Sequence, residues 1–271
     1  MLAGVQSTKP LSGILPIGAP TMPSLPTLPA GAPSLPTSLP TLPPPPDAVV
    51  GPRTAVRRGR TARFAAWIAL AGFSAIFGLV RARRSDAIDL AVTLKLQQRD
   101  HPTLQTVMRS VSWPGFPPQS RIIPALVAAG LLVARLPLEA VFMLGAWGTA
   151  LLASAVKTVM RRPRPIADVD LRVVTAPLGG SSFPSGHTIT YVGVYGFLAY
   201  LAHTLLRPTG WRRAIVAALV GLVALVGPSR VHQGHHWFTD VTASYLLGIA
   251  YLIGLTGLYR RIKAARAGVR P

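Results

Sequence analysis

The chain has 271 residues, half of them hydrophobic and only 13% charged, against about 25% charged in an average soluble domain. Its 28 Lys and Arg outnumber 8 Asp and Glu, a formal net charge of +20. In so apolar a chain that excess belongs to juxtamembrane segments and an anionic substrate, not to nucleic acid, and the absence of cysteine excludes a disulfide framework and thiolate chemistry.

Residues 1–56 form a separate region that is expected to be disordered. The first 52 residues hold 14 of the 27 prolines, in the near-repeats PSLPTLP (23–29) and PSLPTSLP (33–40) and the run PPPP (43–46). Proline at this density prevents a helix and removes ladder donors, so an extended, solvated segment follows, either a plain tail or a ligand for a proline-recognising partner. A signal peptide is not expected, because the first apolar run begins only after residue 63.

Crossing ~30 Å of hydrocarbon takes about 20 apolar residues in a helix. Candidate spans fall at 64–80, 122–133, 138–155, 189–206, 214–226 and 241–258, the first bounded by Arg60, Arg63, Arg81, Arg83 and Arg84. The second is short. Together they predict an all-α polytopic membrane protein with six transmembrane helices in 57–262 and a short basic cytoplasmic tail at 263–271. Between the first two spans, 85–120 sets apolar residues at helical spacing among polar ones; it reads as an amphipathic helix at the interface or as a loop helix packed on the bundle. Six spans put both termini on one side. With that side cytoplasmic, its segments carry 14 basic residues against 13 opposite. The opposite side also holds six acidic residues, and three of its basic ones belong to the site argued below. The compact basic blocks before the first span and after the last place both ends in the cytoplasm of a cell-membrane protein.

Three polar stretches then fall on the other face. In KTVMRRPRP, Lys157, Arg161 and Arg164 are spaced for one side of a helix that Pro163 and Pro165 stop. Arg offers a rigid fork to phosphate oxygens and Lys a mobile point charge. A basic cluster beside a span also reads as snorkelling residues, and Arg161, Arg162 and Arg172 need nothing more. In FPSGH, Pro184 and Gly186 set a turn, Ser185 is a helix N-cap, and His187 stands where exposed amides favour an anion. In SRVHQGHHWFTD, His236 and Asp240 lie one helical turn apart, so that the carboxylate can fix the imidazole tautomer and leave its other nitrogen to attack. Arg230 adds a further cation. His232 and His235 have no clear role; with Asp240 they invite a zinc reading, which the surrounding cations disfavour by repelling a metal.

These residues resemble the type 2 phosphatidic acid phosphatase (PAP2) superfamily, whose signature is Lys-x6-Arg-Pro, then Pro-Ser-Gly-His, then Ser-Arg-x5-His-x3-Asp. All three motifs are complete and in order, on Lys157 with Arg164-Pro165, on Pro184 to His187, and on Ser229-Arg230 with His236 and Asp240. The resemblance covers roughly 60–262 and implies a PAP2-type helical bundle. It implies that His236 attacks phosphorus to form a phosphohistidine, that Asp240 supports it, and that His187 protonates the leaving oxygen. Lys157, Arg164, Arg230, the Ser185 hydroxyl and the Gly186 amide would hold the equatorial oxygens, with no metal and no cofactor. The substrate implied is a membrane lipid phosphate or diphosphate, met on the periplasmic or extracellular face. Where members often have a proline after the aromatic that follows the attacking histidine, this chain has Trp237-Phe238, rings for an acyl tail or, preferably, an interface anchor. A soluble haloperoxidase shares the motifs but not the spans. A lipid phosphotransferase would pass the same phosphate to an alcohol, and a silent transporter or scaffold would predict damaged motifs, which are intact.

Overall fold

The computed structural model describes residues 52–99, 101–167, 171–173 and 179–266, with side chains from 59 onward. The expectation for the proline-rich region thus lies almost wholly outside the described residues. All regular structure among them is helical: α1 (Pro52–Arg81), α2 (Asp86–Gln97), α3 (Pro102–Ser112), a 3-10 turn (Trp113–Gly115), α4 (Gln119–Val133), α5 (Pro137–Trp147), α6 (Thr149–Met160), α7 (Gly186–Leu205), α8 (Gly210–His232) and α9 (Phe238–Arg266).

Four stretches are long and apolar enough to cross a membrane: Gly59–Arg81, Pro137–Met160 (α5 continued by α6), Gly210–His232 and Phe238–Arg266. Pro102–Gly115 and Gln119–Val133, bent by 61°, make a fifth if they form one broken span. Of the six spans expected, length and apolar composition among the described residues thus support four, or five with the bent pair. At 15 residues, α4 reaches only ~22 Å and needs α3 to approach the thickness of a bilayer. The other exception is α7, which has 20 residues but carries Tyr191, Tyr195, Tyr200 and His203 along its length. It packs on α5, α6, α8 and α9. A helix whose neighbours are protein can be less apolar than one facing lipid.

Around α7 the helices approach closely. A Cβ on Gly193 would lie 2.4 Å from the Ala146 carbonyl oxygen, so glycine is required where α7 meets the end of α5. Phe142, Tyr191, Phe197 and Tyr259 are buried in this core. Outward faces are apolar instead, with Trp67 71% and Leu151 77% exposed, as suits lipid contact. Packed mainly on α9, α1 completes the bundle.

One polar contact repairs a helix interior. Pro228 in α8 has no N–H for the carbonyl of Ala224, four residues back. The Tyr245 hydroxyl donates to that carbonyl at 2.9 Å or to Val223 at 2.7 Å, and it accepts the Gly227 N–H at 2.9 Å. Tyr245→Phe would strand these groups away from water, and we expect a loss of about 1–3 kcal/mol in stability, read as a lower melting temperature in detergent. At the far end of the bundle, Glu139 accepts from Lys263 and from the Tyr259 hydroxyl, each at 2.8 Å. Lys263, the first residue of the expected tail, is thereby tied to α5.

Candidate active site

The three motif stretches converge at one end of the bundle, where α6 and α8 end and α7 and α9 begin. At their meeting point His236, 2% exposed, lies in the short connection between α8 and α9. Its Nε2 is 3.2 Å from an Arg164 guanidinium nitrogen. Its Nδ1 faces Asp240 Oδ2 at 3.6 Å, an ion-pair distance that is too long for a hydrogen bond.

Three cations ring the imidazole. Lys157, in the last turn of α6, donates to the Ser181 carbonyl at 2.6 Å. Arg164 donates to the His235 carbonyl at 2.8 Å. Arg230, wholly buried in the last turn of α8, contacts His235 Nδ1 and lies 3.5 Å from the Gln233 side-chain oxygen. That pairing gives His235 the role the sequence left blank: it holds Arg230. None of the three cations has a carboxylate ion pair among the described residues, and the Nε groups of Arg164 and Arg230 are buried without hydrogen-bond partners. Buried charge without a counter-charge is costly, so this cluster is built to receive an anion.

Ser185 caps α7, accepting the Thr188 N–H at 3.4 Å, as its place in FPSGH suggests, and Gly186 opens the helix with its amide in the first turn. Beside it, His187 Nε2 is buried without a partner. Its ring meets Phe116 edge-on at 4.6 Å, and the Arg230 guanidinium lies 4.9 Å from the same phenyl ring. A Cβ on Gly115 would fall 2.2 Å from the His187 ring. The bend between α3 and α4 therefore closes the His187 side of the site. This segment was expected only at the interface or packed on the bundle, and nothing in its pattern pointed to the motifs.

Three sequence readings need correcting here, those for Arg164, Arg162 and Arg172. The helix carrying Lys157 ends with Arg161 as a left-handed C-cap (φ 48°), so Arg164 is not on its face and reaches His236 from the extended strand of chain beyond. The same reversal turns Arg162 inward. It is no snorkelling residue: one terminal nitrogen donates to Asp240 Oδ1 at 2.7 Å and Thr239 Oγ1 at 2.8 Å, the other to Asp89 Oδ2 at 2.6 Å. Arg172 is likewise tied to Gln97, its N–H donating to the amide oxygen at 2.9 Å. Asp89, Thr93 and Gln97 are spaced four apart and buried, while Ile88 and Leu90 are exposed. So α2 turns its polar stripe toward the protein and its apolar residues outward. The Trp237 indole N–H donates to the Pro163 carbonyl at 3.1 Å, which ties the ring to the segment carrying Arg162 and Arg164. Among the described residues no group of three or more His, Asp or Glu is placed to hold a metal ion.

Burial, then the charges of Arg164, Arg230 and Lys157, hold the His236 imidazolium well below its usual range. Burial, then Arg230 and Arg164, push His235 down to about 3. The imidazole nearest the cations is therefore neutral at physiological pH, the form in which a ring nitrogen keeps a lone pair. Stability depends on the same shifts. An unfolded histidine takes up its proton near ~6.5, which the folded site refuses. The unfolded chain thus binds more protons as pH falls from ~6.5 toward the folded values, and stability declines across that window. Melting temperature in detergent should fall on acidification from pH ~7 to ~4 and fall less steeply in saturating phosphate, whose charge favours imidazolium; a flat profile would contradict the burial described.

A sequence model of the PAP2 superfamily matches residues 137–263. Phosphatidylglycerophosphatase B of Bacillus subtilis (strain 168) is 32% identical over 188 residues, which cover 67% of this chain and 86% of that protein. Among solved structures, a transmembrane PAP2-type phosphatidylglycerolphosphate phosphatase from Bacillus subtilis superposes with a TM-score of 0.65 at 24% identity, over 73% of this chain and 98% of that one. LpxE of Aquifex aeolicus superposes with a TM-score of 0.50 at 22% identity, over 63% and 95%.

Proposed function

The chain belongs to the PAP2 superfamily, on its membrane-embedded lipid phosphatase branch, and we propose that it hydrolyses a lipid phosphomonoester, phosphatidylglycerol phosphate first among candidates, through a phosphohistidine at His236. The observation that carries this reading is the trio of cations, half-buried Lys157 and Arg164 and fully buried Arg230, set around a buried neutral imidazole with no carboxylate ion pair of their own among the described residues. Phosphatidylglycerol phosphate comes first because the relative at 32% identity bears that substrate in its name. Phosphatidic acid and undecaprenyl diphosphate share the needed chemistry, an anionic phosphate on a tail that stays in lipid.

In the first step His236 Nε2 bonds to phosphorus while the bond to the lipid oxygen breaks, and His187 gives that oxygen its proton. In the second, His187 takes a proton from water, whose oxygen attacks phosphorus and releases inorganic phosphate from His236. Lys157, Arg164, Arg230, the Ser185 hydroxyl and the Gly186 amide hold the equatorial oxygens as charge shifts between entering and leaving groups. Asp240, 3.6 Å from Nδ1, supports the ring as it becomes positive. With α7 and the broken α3–α4 pair each counted as one crossing, six spans follow. The site then faces the periplasm of a bacterial inner membrane, and both ends of the described chain lie in the cytoplasm.

The test is phosphate release by the purified protein in detergent with EDTA, from phosphatidylglycerol phosphate, phosphatidic acid and undecaprenyl diphosphate side by side. Turnover of at least one lipid, with the first preferred, supports the reading. Turnover of none, or dependence on added metal, overturns it.

A further inference from the structure

Behind the candidate nucleophile, one arginine is shared between two buried carboxylates. Arg162 directs one terminal nitrogen to Asp240 Oδ1 at 2.7 Å and the other to Asp89 Oδ2 at 2.6 Å. Asp89 and Asp240 are both fully buried, and Arg162 is 8% exposed. Asp89 also grips the residue before Asp240: it accepts the Thr239 N–H at 2.8 Å on one oxygen and the Thr239 hydroxyl at 2.8 Å on the other. The remaining oxygen of Asp240 accepts the Trp237 N–H at 2.9 Å and faces His236. Two of the groups that hold Asp240 in place, Arg162 and its own chain neighbour Thr239, are thus fixed to α2 through Asp89.

We propose that Arg162 and Asp89 are positioning residues for the His236–Asp240 pair, forming a buried relay through which α2 sets both the orientation and the charge of the carboxylate behind the nucleophile. The proposal rests on the histidine-nucleophile reading above. Its logic is electrostatic as well as geometric. One guanidinium against two buried carboxylates leaves a net negative charge behind His236, opposite the three cations in front of it. As Nε2 bonds to phosphorus the imidazole ring becomes positive, and the charge left on Asp240 stabilises that ring. Without Asp89, Arg162 would keep only Asp240 and the exposed Asp86, 3.5 Å away, so more of its charge would fall on Asp240 and the support would weaken. A lysine could not replace Arg162, because one ammonium lacks the fork that reaches two carboxylates from separate nitrogens. Among the described residues no hydrogen bond joins the side chain of Asp89 or Arg162 to Lys157, Arg164 or Arg230. Their loss should therefore act on the chemical step and spare phosphate binding.

The experiment uses the full chain in detergent with Asp89→Asn, an isosteric change that removes charge. We expect kcat to fall about 10–100-fold, the scale of losing a partner that orients a histidine from behind. KM and competitive inhibition by inorganic phosphate, which reads the cation pocket, should stay within about twofold. In an Asp240→Asn background, Asp89→Asn should lower kcat by less than about twofold more, because the relay acts only through Asp240. Arg162→Lys should show the same loss of kcat with phosphate inhibition retained, and it carries the test should Asp89→Asn fail to fold. An unchanged kcat overturns the proposal. So does phosphate inhibition lost in parallel with activity, which marks a merely structural role, or losses at Asp89 and Asp240 that multiply. The control His236→Ala separates the two levels: if that variant keeps activity the nucleophile reading falls, whereas a dead control beside an unaffected Asp89→Asn sinks the relay alone.

Discussion

Arg230→Ala is expected to lower kcat about 10²–10³-fold, the scale of removing one preorganised donor from a developing oxyanion. Arg230 is wholly buried, steadied by His235, Gln233 and the Phe116 ring, so its charge stands in place before substrate arrives. Removing it takes away charge that water cannot replace in a closed site. Arg230→Lys should recover little, because a compact ammonium lacks the separate nitrogens with which the planar guanidinium can contact His235 and reach a phosphate oxygen at a distance from it. Steady-state kinetics on the preferred lipid phosphate check this; a lysine variant near parental activity would mean that charge alone suffices. Truncation also removes one partner of His235, so part of the loss will be local rearrangement.

His187→Asn should be the second severe lesion, with a loss of about 10²–10⁴-fold on a lipid alkoxide leaving group, the usual range for general acid catalysis. Its signature is selectivity. A phenolic leaving group such as p-nitrophenolate departs without a proton, so the variant should retain far more of its activity on p-nitrophenyl phosphate than on the lipid. Equal losses on both would reassign His187 from proton donor to structural support. The contact of the His187 ring with Phe116 holds it beside the cation cluster, on the side closed by the bend at Gly115, and leaves its buried Nε2 without a partner in the structure.

The sequence shows the motif residues because their chemistry demands fixed types at fixed spacing. The structure brings Lys157, Arg164, Ser185, His187, Arg230, His236 and Asp240 to one end of the bundle, as the alternation of spans requires. Four apolar spans are equally legible, since lipid-facing helices must be apolar along their length. What escaped notice depends on tertiary surroundings. Hydropathy reads a helix as if it met lipid, so it cannot tell that α7 is walled by protein and can carry three tyrosines, or that α4 needs a bent partner. Helical spacing assumed that α6 continued through Arg164. The left-handed turn at Arg161 undid that and sent Arg162 inward, to a carboxylate 73 residues away on α2. The stripe Asp89, Thr93 and Gln97 has a clear helical period, but period alone does not say which face meets protein. In a membrane-bound helix the polar face turns inward whenever the partners are there. His235 looked idle because its role is to hold Arg230, and a contact between neighbouring imidazole and guanidinium leaves no mark in spacing.

The central claim is that His236 carries the phosphate covalently. Brief reaction with a lipid substrate labelled in its phosphate, in EDTA, followed by alkaline denaturation and peptide mapping, tests it directly. The account predicts label on the peptide containing His236, stable in base, lost in acid and absent from His236→Ala. No label in an active parent, label retained by the variant, or label that appears only with added metal would contradict it.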